Sequence, residues 1–84
     1  MELRDVYAFE AARMAAFLGG HPAIRTAEDG AYWYGTAAAR LRALPPRGAG
    51  PLRLPQTELT ITGGDGDGAA LNRLIRLRFL SSGG

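Results

Sequence analysis

Asp65 and Asp67 alternate with glycines in Gly63-Gly64-Asp65-Gly66-Asp67-Gly68. A hard cation such as calcium seeks carboxylates at alternate positions of this kind. A calcium loop would also need a third ligand where Ala69 stands, a glycine where Ala70 stands and a later glutamate. Two carboxylates alone hold calcium weakly, so the segment reads as a flexible turn, with no metal and no cofactor expected. Glu10 is a second candidate, a carboxylate placed on an apolar stripe. Acid–base chemistry needs a second group beside it, and pairing with Arg13 one turn along, or with an arginine of another element or subunit, is the simpler role. His21, the only imidazole, lies between Gly19-Gly20 and Pro22 and reads as a loop residue.

The wider inventory narrows the chemistry further. All ten cationic side chains are arginine, and the chain has no lysine and no cysteine. It can form no Schiff base, thiolate nucleophile or thiol redox pair. Arginine forks suit carboxylates and phosphates, which favours contact over turnover. No catalytic residue is assigned, and the chain is expected not to be an enzyme. The 84 residues carry a net charge of +2, too little to imply nucleic-acid binding from the total alone. The opening MELRDVYAFE lacks the features of a signal peptide. No stretch approaches the roughly 20 apolar residues that span a bilayer. The expected location is therefore cytoplasmic or virion-associated. Richness in Ala, Gly, Leu and Arg fits a GC-rich bacterial or phage genome.

Several elements must position these residues. Leu3, Val6, Tyr7, Ala11, Met14, Phe17 and Leu18 recur at helical spacing and predict a helix over 3–18, stopped by Gly19-Gly20. Its other face is Ala8, Ala12, Ala15 and Ala16 with Phe9. A helix apolar on most of its circumference needs a cover on most of it. Segment 26–44 has two readings. Thr26 and Asp29 form a weak capping pair, and Trp33, Ala37, Leu41 and Leu44 continue a helix that Pro45-Pro46 ends. Alternatively, Glu28-Asp29-Gly30 turns between strands 23–27 and 31–35, with a short helix from Thr36 to Leu44. Residues 45–56 read as an extended Pro/Gly-rich crossing loop. Residues 57–62, TELTIT, alternate as a strand. In 71–80, Ile75, Leu77 and Phe79 alternate with Arg76 and Arg78, which predicts a second strand.

The expected fold is thus α+β, an antiparallel two-helix hairpin followed by a β-hairpin, with α-β-β-α-β-β as the alternative. Residues 1–80 form one domain and 81–84 a flexible tail. On a strand, Arg76 and Arg78 would point the same way about 6.8 Å apart, near the spacing of successive phosphates. That spacing supports a nucleic-acid-binding alternative. The run Leu74-Ile75-Arg76-Leu77-Arg78-Phe79-Leu80-Ser81-Ser82-Gly83-Gly84 resembles the last strand and diglycine tail of ubiquitin-like modifiers and bacterial sulfur carriers. Asp65-Gly66-Asp67 resembles the turn before that strand in the carriers. The resemblance implies a terminal glycine carboxylate that is adenylated, here Gly84. Those folds open with a β-hairpin, whereas this chain is expected to open with a helix. The chain is expected to be a small non-enzymatic protein-binding subunit or accessory factor of phage or mobile-element type. It would dock on a larger assembly or on its own copies, without a membrane. Phe9, Ala12 and Ala16 would supply buried area, and Arg13, Arg76 and Arg78 orientation.

Overall fold

A computed structural model describes residues 1–48 and 50–79. The chain order is β1 (Glu2–Tyr7), α1 (Ala11–Gly20), β2 (Arg25–Thr26), β3 (Tyr32–Tyr34), β4 (Ala37–Arg47), β5 (Leu54–Gly63) and α2 (Asp65–Phe79). The strands form one antiparallel sheet in the order β1-β5-β4-β3-β2. The chain has no N-terminal helical hairpin, and it opens with a strand and continues as strand over Ala37–Arg47, so both expected architectures are overturned.

Strand parity separates the two faces. Leu3, Asp5 and Tyr7 lie opposite Ile61, Leu59 and Thr57. Ala39 and Leu41 lie opposite Ile61 and Leu59 on the other side of β5. This face carries the core: Tyr7, Ala37, Ala39, Leu59 and Ile61 pack against Met14 and Leu18 of α1 and Leu71, Ile75 and Phe79 of α2. Full burial of one such large apolar side chain stabilises by about 1.5–3 kcal/mol. The other face carries Glu2, Arg4, Val6, Trp33, Arg40, Arg42, Glu58, Thr60 and Thr62, and neither helix covers it.

Each departure from the sequence reading has a physical cause. The expected helix over 3–18 is split, with residues 2–7 in β1 and 11–20 in α1. Leu3, Val6 and Tyr7 fit helical spacing, yet the strand turns Leu3 and Tyr7 inward and leaves Val6 47% exposed. Asp5 among the inward residues hides the period-two pattern. Downstream, Met14 and Leu18 of the same stripe are buried in α1.

In 26–44 the long helix is absent. Ala27 N–H donates to Ala31 O, and Gly30 N–H to Ala27 O, closing a turn between β2 and β3. The expected short helix from Thr36 is instead the start of β4. Alanine favours helices, but pairing on both sides with β3 and β5 outweighs that preference. The expected crossing loop 45–56 is largely the β4–β5 hairpin. Beyond residue 42, β4 pairs only with β5, and β1 stops opposite Thr57. Pro45 and Pro46 therefore sit where β4 has an open side, at a register shift between Leu44 and Arg47.

The expected strand 71–80 is α2. Leu71, Ile75 and Phe79 repeat every four residues and are all buried, while Leu77, read as inward on a strand, is 61% exposed. Asp65 and Asp67 occupy the first turn of α2 and Arg76 and Arg78 its last, complementing the helix dipole at both ends. The GGDGDG segment is thus a strand end joined to a helix start. The tail 81–84 lies outside the described residues.

Candidate functional site

The residues expected to bind a partner are separated by the fold. Phe9 is half-buried, its ring edge-on to Phe79 at 5.0 Å, with the Arg13 guanidinium 5.7 Å from its centroid. Phe17 also meets Phe79 at 5.6 Å, and Arg78 lies 5.1 Å from the Phe79 ring. Phe9 and Arg78 therefore flank one buried ring, that of Phe79, and Arg13 lies over Phe9 in turn. Ala12, Arg13 and Ala16 are exposed on α1. Arg76 is elsewhere: its Nη1 donates to Asp5 Oδ2 at 3.1 Å, across from β1. The strand geometry behind the phosphate-spacing argument is gone, since residues two apart on a helix face nearly opposite ways. The last-strand part of the modifier and sulfur-carrier resemblance falls with it, and Gly83-Gly84 lies outside the described residues.

The groups that could do acid–base chemistry are engaged in local structure. His21 Nδ1 accepts from Ala23 N–H at 3.1 Å. Glu10 is exposed just before α1 rather than among apolar neighbours, and its carbonyl accepts from Arg13 and Met14 N–H. Asp67 Oδ2 accepts from Thr36 N–H at 2.7 Å and Thr36 Oγ1 at 2.8 Å, which holds its carboxyl below the usual range. Asp65 lies 3.1 Å from the Met1 amino group, so the two aspartates face different donors. Asp29 pairs with Arg40 and Glu58 with Arg42. The Arg40 bond, with help from Ala31 N–H, lowers the Asp29 carboxyl. Burial pushes the Tyr7 phenol up, reinforced by Asp5 and opposed by Arg76. Its hydroxyl and Asn72 Oδ1 are buried without a partner among the described residues. Among those residues no cluster of three or more His, Cys, Asp or Glu could hold a metal.

Two surfaces remain unspent. The first is the far half of the β4–β5 ribbon. Parity carries the uncovered sheet face onto it through Leu44, Gln56 and Leu54, with Arg47 opposite Leu54. Val6 stands beside this strip, opposite Glu58. Val6 and Leu54 are 47% and 48% exposed and Leu52 beyond them 64%. From Gly30 to Thr57 the sequence has no acidic residue but carries Arg40, Arg42, Arg47 and Arg53. Of this stretch, residues 45–56 read in the sequence as a connecting loop. The missing acids were the visible signal, but only the sheet register aligns the leucines. The second surface is the outer edge of β1. The sequence matches no family model, and no curated protein is similar enough to count as a relative. No helix among the described residues is long and apolar enough to cross a membrane.

Proposed function

We propose that the chain is a small non-enzymatic protein-binding subunit that docks on a larger assembly through the uncovered face of the β4–β5 ribbon. The observation that carries this reading is the strip Val6, Leu44 and Leu54, bordered by Arg42 and Arg47. A two-stranded ribbon is marginal by itself, and its exposed Leu54 and half-buried Leu44 gain little for the isolated fold. Against a partner they become buried anchors, and arginines at the rim give orientation. The partner that fits is a protein with an apolar groove edged by carboxylates. Prolines along the ribbon's open sides discourage strand addition there, so recognition falls to side chains.

The test compares substitutions in the tagged protein, with cross-linking mass spectrometry of complexes from its native host. Leu44→Asp with Leu54→Asp should remove the cross-linked partner, and Ala12→Arg on α1 should retain it. Loss with Ala12→Arg alone would return the contact to α1. Unchanged capture by the ribbon variant would sink the proposal. The nucleic-acid alternative is checked by fluorescence anisotropy with single-stranded DNA. We expect nothing tighter than the roughly micromolar, salt-sensitive background of non-specific binding.

A further inference from the structure

We propose that the free edge of β1 pairs with the same edge of a second copy of this chain. The pairing is antiparallel, with Glu2 opposite Arg4 of the partner subunit and Leu3 opposite itself on the two-fold axis. Hydrogen-bond parity fixes which backbone groups of β1 face outward. Met1 and Gly63 exchange both backbone bonds, at 2.8 and 3.1 Å. Antiparallel alternation then directs the N–H and C=O of Leu3, Asp5 and Tyr7 toward β5 and those of Glu2, Arg4 and Val6 outward. One outward donor is already used: Val6 N–H bonds Asp5 Oδ1 at 2.9 Å, and Arg76 holds the other oxygen of that carboxylate. The edge is thus closed at Val6 and open at Glu2 and Arg4.

Only one antiparallel register between two copies satisfies both backbone and charge. Setting Arg4 opposite Arg4 places like charges together and needs the occupied Val6 N–H. Setting Arg4 opposite Val6 needs the same occupied donor. Setting Glu2 opposite Glu2 opposes two acids. With Glu2 opposite Arg4, all four outward N–H and C=O groups of those residues in each copy are paired, and two opposite-charge pairs form on the uncovered sheet face. Neither Glu2 nor Arg4 has an ion-pair partner among the described residues, so both charges are available. On the core side, half-buried Leu3 meets Leu3 of the partner subunit.

Four backbone bonds and one leucine pair make a small interface of the transient class. The dimer is therefore expected at concentrations on the order of 100 μM. Because the chain has no cysteine, single introduced thiols report the register. Leu3→Cys places two thiols in a non-hydrogen-bonded pair, where Cβ atoms approach to about 4.5–5.5 Å. Mild oxidation should give a disulfide dimer with Leu3→Cys far faster than with Val6→Cys. Sedimentation velocity supplies a test that leaves the core untouched. Arg4→Glu should weaken self-association by about tenfold or more, and Glu2→Arg combined with Arg4→Glu should restore it. A chain that stays monomeric to about 1 mM, equal cross-linking at positions 3 and 6, or no rescue by the double swap would each overturn the proposal.

Discussion

The two halves of the β4–β5 hairpin share a backbone pattern and differ in nearly everything else. Near the helices, Ala37, Ala39, Leu59 and Ile61 are sealed between sheet and helices, none more than 3% exposed. Beyond residue 43, among the described residues, the same two strands continue with no third strand paired to them, and Leu54 is 48% exposed. One hairpin thus has a half packed into the core and a half that projects beyond it. The contrast shows where the proposed partner surface lies: on that reading the exposed apolar groups of the open half are the ones a partner would bury.

The sharpest way to break this contrast is to attack the packed half. Phe79 is fully buried and is the ring on which Tyr7, Phe9 and Phe17 converge. Phe79→Ala should cost about 3–5 kcal/mol in chemical denaturation, a large part of the stability of so small a domain. Gly63→Ala comes next. Gly63 has φ +114°, and a Cβ there would collide with the Thr36 carbonyl. A cost of about 1–3 kcal/mol should appear as a melting point several degrees lower.

Acid acts on the same half through Asp67, which ties the start of α2 to the β3–β4 turn. Its folded pKa is lowered from the ordinary 3.8 by the Thr36 N–H and hydroxyl. That stabilisation is full above the unfolded value and fades as pH falls through the lower folded one. The melting temperature should drop below about pH 4, and Asp67→Ala should reduce that drop. Asp29, lowered by Arg40, contributes in the same direction. The smallest effect belongs to the open half: Leu52→Ala should shift stability by no more than about 0.5 kcal/mol.

How much of this was legible in the sequence depends on how local each signal is. The alternation of residues 57–62 lies within β5, and the Met14–Leu18 part of the stripe lies on the buried face of α1. Gly19-Gly20 falls at the end of that helix. By contrast, β1 exists because residues 2–7 pair with residues 57–62, a contact across most of the chain that no local period reveals. Residues 71–79 fit both a two-residue and a four-residue repeat. The aspartates and arginines at the two ends of α2 suit a helix, but beside glycines the aspartates read as a turn, and the arginines as the outer face of a strand. Of the site residues, Phe9 and Arg78 do come together, but on the core ring of Phe79, with Arg13 over Phe9. Arg76 guards an edge through Asp5. The ribbon strip was missed because its leucines align only once the register is known.

Hydrogen exchange on the purified chain tests the central contrast most directly. Amides of residues 38–42 and 57–62 that bond within the sheet should exchange only through global unfolding. Those of 43–47 and 54–56 should exchange orders of magnitude faster by local opening. Equal protection along the whole hairpin would contradict the account, because the ribbon would then belong to the fold rather than stand free for a partner.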